Sequence, residues 1–292
     1  MGASAQARTQ IRRQVRDFLT SRRSRLTPGQ VGLPAVNANR RVEGLRREEV
    51  AALAGISVEY YIRLERGDAR GVSESVLQSV SRALRLDGTE HAHLLDLIRS
   101  GGGIRPCRPV TGAVELRPSV QRILDSMTTT PALVLDGRLD VVGANALGRA
   151  LYQPMYGACG NADTARFVFT DPAARTFWRD WAVIADDTAN ALRAESGSNP
   201  CDRAVTELVD ELAARSPEFA SRWARHDVHV SRTGTRRIEH PLVGALTLPF
   251  ESTPLVADPG QTLLMYSAAP DSPTQDALHL MASWTTSRPS GS

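Results

Sequence analysis

An all-α N-terminal third, followed by an α+β remainder in which one antiparallel sheet carries helices on one face, is the fold class predicted by this 292-residue sequence. Three observations carry it. Apolar residues recur at helical spacing through the first hundred residues. A glycine- and proline-rich break follows at 101–109. Beyond it, short strand-like runs bracket a helical block. Two domains suit a chain of this length, at about 150 residues each, and a content of 41% hydrophobic and 23% charged residues is ordinary for a folded protein. No apolar run approaches the ~20 residues that span a bilayer. The N-terminus lacks the apolar core of a secretory signal. Cys107, Cys159 and Cys201 are odd in number and far apart, so no disulfide framework is expected and a cytoplasmic location fits best.

The elements follow in order. Ile11, Val15, Phe18 and Leu19 mark one helix face over 10–19. Residues 21–45 hold prolines and glycines without a clear period and read as a long loop or partly ordered insertion. Helical pattern resumes at Arg46 and runs to about Ser100. The domains expected are residues 1–100, a linker at 101–110, a second domain at 111–285 and a disordered tail at 286–292. In the second domain, 131–135 and 139–142 flank Asp136-Gly137 as a hairpin. A long helix is expected from Asp171 to Glu195, with Phe177, Trp181, Ile184, Thr188 and Leu192 on one stripe and Asp171-Pro172 as its start. Strands are expected at 228–231, 237–239, 242–250 and 261–267, and a last helix near Thr274–Trp284.

Charge separates the two parts. Residues 1–110 carry 19 Arg against 11 Asp and Glu, a net of +8; residues 111–292 carry 16 against 21, a net of −5. A basic unit on an acidic remainder points to a polyanionic partner for the first domain. Within it, residues 46–67 supply the mechanism. A helix to Ala54 buries Val50, Leu53 and Ala54, with small Ala51 at the helix approach. Gly55 provides a left-handed turn and Ile56 plugs the gap. Ser57 caps a second helix that buries Tyr61 and Leu64 and stops at Gly67. That is a helix-turn-helix, and its second helix then presents Val58, Glu59, Tyr60, Ile62 and Arg63 to a major groove. Ser57, Val58, Glu59, Tyr60 and Arg63 are the expected DNA contacts on the motif. Arg40, Arg41, Arg46 and Arg47 are placed for backbone phosphates. Glu48-Glu49 reads as a solvated helix face, or as a contact to RNA polymerase if the protein activates transcription.

The stretch resembles the Xre/Cro-like helix-turn-helix in Val50-Ala51, Gly55, Ser57, Tyr61, Glu65 and Gly67. The run over Gly44–Gly67 more narrowly resembles an actinobacterial subfamily, the MmyB-like regulators. So do FTDPAAR at 169–175, RDW at 179–181, SPEF at 216–219, WARHDV at 223–228 and HPLVG at 240–244. Stretches around Tyr156–Asp163 and Gly197–Asp202 depart from that pattern. The resemblance implies a PAS-like second domain that binds an acyl or other apolar small molecule, and control of secondary metabolism or of a neighbouring redox gene. No tightly held cofactor is expected beyond a bound fatty acid or similar apolar ligand. A pocket between sheet and helices, lined by Phe177, Trp181, Trp223 and Leu246 with Arg225 or His226 at its polar end, is the expected ligand site; the tryptophans also fit a plain core role. His226, His229 and His240 lack zinc-site spacing, so no metal is expected. No nucleophile–base pair stands out, so no catalytic residue is expected.

The function expected is a ligand-responsive, DNA-binding transcriptional regulator. It acts as a homodimer on a palindromic operator of double-stranded DNA, without a membrane partner. The rival readings are a ligand-independent regulator or adaptor, whose second domain only dimerises or holds a partner, and an enzyme fused to a DNA-binding domain.

Overall fold

The computed structural model describes residues 2–33, 44–101, 115–157, 162–199 and 202–286. Residues 102–110 of the linker expected at 101–110, the tail beyond Thr286, Arg40, Arg41 and all three cysteines lie outside them, while Gly101 ends a helix. The chain forms two compact units that a single cut does not separate. The first takes residues 1–110 with 193–206 and 223–229; the second takes the rest.

The first unit is helical: α1 (Gly2–Arg25), α2 (Arg47–Ala54), α3 (Val58–Glu65), α4 (Glu74–Ala83) and α5 (Gly88–Gly101). Ile11, Val15, Phe18 and Leu19 are all buried, as their spacing requires. The helix does not stop at Leu19, as the loop expected over 21–45 would have it. It continues to Arg25 because Arg22 and Arg23, inside that expected loop, are buried in ion pairs. Arg22 pairs with Glu90 (3.0 Å) and Asp227 (3.3 Å) and donates to the His226 carbonyl (2.6 Å). Hydrophobic periodicity is blind to arginines that are neutralised inside a core. Val228, expected in a strand, joins this helical core instead.

The second unit holds the sheet. Its strands are β1 (Ala132–Leu135), β2 (Val141–Ala144), β3 (Thr233–His240), β4 (Gly244–Pro254) and β5 (Thr262–Tyr266), in the order β2-β1-β5-β4-β3, every neighbour antiparallel. Alternate residues (Leu133, Ile238, Leu246, Leu248, Phe250, Tyr266) face one core with α7 (Ala146–Leu151), α8 (Thr164–Thr170), α9 (Ala174–Phe177), α10 (Trp181–Ser198) and α13 (Pro273–Thr286). Between α10 and α13 in the chain come α11 (Arg203–Arg215) and α12 (Pro217–Ala224). The opposite face is covered in part by α6 (Pro118–Ser126), whose Val120 and Leu124 pack on Ala132 and Val134.

The long helix expected from Asp171 is divided. Trp178 adopts an extended backbone and bridges Ile238, and the Arg179 amide donates to the Arg237 carbonyl, so β3 takes these two residues out of helical pairing. The hairpin forms where Asp136-Gly137 stands. Its left-handed residue, however, is Leu139 (φ 66°) rather than the glycine. The Asp136 carboxylate accepts from the amides of Arg138 and Asp140 (2.9 Å each) and closes a longer loop.

Candidate DNA interface and ligand cavity

In the first unit, α2 and α3 meet around Gly55 (φ 67°), a conformation that a β-carbon would strain. The Ser57 hydroxyl accepts from the Tyr60 amide at 3.1 Å, satisfying a donor that the start of α3 would leave unpaired. At the far end Gly67 (φ 80°) lies so close to α1 that a β-carbon would stand 2.5 Å from the Arg12 carbonyl. Tyr61 and Leu64 are fully buried and fix which way α3 faces. Glu65, only 2% exposed, is clamped by Arg23 at 2.7 Å and by Arg47. A buried carboxylate between two guanidiniums ties α1 and α2 to α3.

That anchoring leaves Ser57, Glu59, Arg63 and Arg66 exposed, with Tyr60 and Ile62 half-buried beside them. The Arg63 guanidinium lies 4.8 Å from the centre of the Tyr60 ring. A shallow groove runs along Glu59, Ile62, Arg63, Arg66 and Asp68. Val58, expected to point outward, packs partly on the core. Leu53, expected inside, is 36% exposed. Arg46 sits at the N-cap of α2, where its amide donates to Glu49 (2.6 Å) and its guanidinium meets Glu48 (3.2 Å). Glu49 is thus a cap acceptor as well as a surface charge.

In the second unit a cavity of about 170 Å³ opens between the sheet and α10. Apolar wall comes from Leu135, Leu139, Val168, Ile184, Phe250 and Leu264. Its charged edge is one pair: Arg236 and Asp187, 2.7 Å apart, with side chains 15% and 18% exposed. Ser231 donates to Asp187 at 2.9 Å, and the Arg236 guanidinium lies over Phe250 at 4.4 Å. Tyr152 and Tyr266 join hydroxyls at 2.6 Å, and burial pushes both phenols above their ordinary range. Trp178 completes the wall; it is buried, and its indole Nε1 has no hydrogen-bond partner among the described residues.

The residues expected at a pocket stand elsewhere. Phe177 and Leu246 are buried in the sheet-side core. Trp181 is half-buried, donates to the Val168 carbonyl (2.9 Å) and lies under the guanidiniums of Arg175 (3.9 Å) and Arg222 (5.0 Å). Trp223, Arg225 and His226 belong to the first unit. There Arg193 covers the Trp223 ring at 3.9 Å and reaches His226 Nδ1 at 3.2 Å, while Arg225 offers its carbonyl to Ser21 and Arg25. Burial, then the nearby arginines, push His226 down to about 4 and buried His93 down to about 3. His240 stands apart, on β3, bonded to the Ala150 carbonyl. Among the described residues no three metal-ligating side chains come together, and no helix is long and apolar enough to cross a membrane.

The model of one family, described as the MmyB-like transcription regulator ligand binding domain, matches residues 116–281, more than half of the chain. The chain belongs to this family. A second, described as a helix-turn-helix domain, matches residues 14–94, from α1 into α5. No curated protein matches. This MmyB-like chain is a DNA-binding transcription regulator with a ligand-binding domain, and both matched families are regulatory.

In this regulator the exposed residues of α3 come from one run of sequence, where caps and register make them legible. Arg66 is the residue that such reading omits; it lies at the helix C-cap, past the last buried position. The cavity is lined from β1, β3, β4, β5, α8, α10, the C-caps of α7 and α9, Leu139 and the 230–231 segment. Arg236 was open to recognition only as an arginine in a strand that alternates buried and exposed positions.

Proposed function

We propose that this regulator reads an operator in duplex DNA through α3, as a homodimer, and that an apolar or acyl small molecule in the cavity of the second unit sets its activity. The observation that carries the reading is the Ser57-capped α3: its buried Tyr61 and Leu64 turn Glu59, Tyr60, Arg63 and Arg66 outward. Ser57, Glu59, Tyr60 and Arg63 then face base edges and Arg66 a phosphate, with Val58 at the margin. Arg46 and Arg47, and Arg40 and Arg41 outside the described residues, flank the motif and add to phosphate attraction. Operator selection followed by footprinting on the full chain tests it. Arg63→Ala is expected to cost about 1–3 kcal/mol at one base position, whereas Arg66→Ala weakens all sequences alike and flattens the salt dependence. A footprint unchanged by both substitutions would remove α3 from the interface. Light scattering of the operator complex tests the dimer.

A further inference from the structure

Every charge on the cavity wall is already matched. Arg236 and Asp187 neutralise each other at 2.7 Å, Ser231 adds a hydrogen bond to Asp187, and Phe250 lies against the guanidinium. An anionic head group would have to stand beside the Asp187 carboxylate or displace it, leaving a largely buried carboxylate unpaired. Two other wall hydroxyls are engaged, Thr164 donating to the Leu139 carbonyl and Thr188 to the Ile184 carbonyl, while the wall also carries the hydroxyls of Ser252 and Thr262. Two further donors remain. One is the unpartnered indole N–H of Trp178. The other follows from counting: one hydrogen bond joins the hydroxyls of Tyr152 and Tyr266, so one of their two protons is uncommitted. Size sets a scale for the part of a ligand held inside, since the cavity opens to solvent. A dry apolar cavity of about 150 Å³ accepts a benzene ring, and this one is about 170 Å³.

We infer that the cavity takes an uncharged ligand with about six to ten non-hydrogen atoms held inside, apolar in body and carrying one hydroxyl or carbonyl oxygen, rather than an anionic acid. The oxygen accepts from the Trp178 indole, the tyrosine pair or the Ser252 or Thr262 hydroxyl, and the ring or short chain fills the space beside Leu135, Ile184 and Leu264. The inference rests on reading the cavity as the ligand site.

Calorimetry on the full chain separates the two. The probes are benzyl alcohol, benzoate and decanoate, matched in buffer and pH. Benzyl alcohol is expected to bind at least tenfold more tightly than benzoate or decanoate. Asp187→Asn, which frees the Arg236 charge, is expected to reverse the order of benzyl alcohol and benzoate; a gain of this kind does not arise from misfolding. Trp178→Phe keeps a ring in the wall and deletes the N–H, and is expected to weaken benzyl alcohol severalfold. If benzoate or decanoate binds the unaltered chain as tightly as benzyl alcohol, the uncharged class is wrong while the cavity stands as a ligand site. An order unchanged in Asp187→Asn overturns the role of the ion pair, and an unchanged affinity in Trp178→Phe overturns that of the indole donor. Should none of the three probes bind, the ligand-site reading falls with the inference, and the DNA reading is untouched.

Discussion

The α2–α3 motif and the cavity of the second unit solve opposite problems with the same residue types. On α3 the tyrosines and arginines are divided by helical register. Tyr61 is fully buried while Tyr60 and Arg63, one turn apart on the other side, stay at the surface. Charge there remains available to a partner because the one buried acid, Glu65, is already committed to Arg23 and Arg47. In the cavity the arginine and the acid are committed to each other, and what faces the space is apolar wall with a few donors. The first arrangement suits a polyanion met from solvent; the second suits a neutral molecule taken out of it.

The sharpest way to break the contrast is at Glu65. Glu65→Ala leaves Arg23 buried without its partner, and the first unit is expected to lose about 3–5 kcal/mol in urea denaturation. A loss below about 1 kcal/mol, the scale of an exposed pair, would mean that the clamp does not hold the motif. Next in size is Trp181→Ala. It removes a half-buried ring, an N–H donor and the surface under two guanidiniums, and is expected to destabilise the second unit by about 3 kcal/mol. Benzyl alcohol affinity should survive, since Trp181 does not line the cavity. If affinity falls instead, Trp181 regains the pocket-wall role that its place in the sequence implied.

Acidity should move the two units in opposite directions. His93 and His226 stay neutral in the folded first unit down to about 3 and about 4, whereas the unfolded chain takes up those protons below 6.5. Their contribution is therefore complete above pH 6.5 and declines from there toward pH 4. The limit is about 1.4 kcal/mol per pH unit for buried His93 and less for partly exposed His226. Asp140 behaves inversely. Burial, with Asp163 and Asp136 nearby, raises its folded value to about 7 against 3.8 unfolded. Its contribution is complete below 3.8 and is lost as pH rises through 7. Hydrogen exchange at pH 5, 6 and 7.5, corrected for intrinsic rates, should show α5 opening on acidification while the β1–β2 hairpin tightens. Parallel responses would contradict these assignments. The smallest effect expected is at the cap. Ser57→Ala should cost about 1 kcal/mol and lower DNA affinity through fraying of α3, seen as faster exchange at the Tyr60 amide.

By itself the sequence determined what short-range physics determines. Gly55 and Ser57 act within a few residues of themselves, so the helix-turn-helix was legible from spacing, although Val58 and Leu53 stand on the other side of the register from the one expected. The α+β order and the hairpin at Asp136-Gly137 were legible for the same reason. Tertiary structure alone decided the rest. Arg22 and Arg23 extend α1 through residues 21–25 only because Glu90, Asp227 and Glu65 arrive from far along the chain to neutralise them. Trp178 leaves its expected helix because the edge of β3 offers hydrogen bonds to the 178–179 backbone. Trp223, Arg225 and His226, plausible beside a pocket, were drawn into the first unit by Arg193, Arg25 and Arg22. The cavity is a void between a sheet and a helix, and its charged edge joins Asp187 to Arg236, 49 positions further on. A void has no residue of its own, and the pairing of two distant charges has no period, so neither leaves a mark that local spacing could reveal.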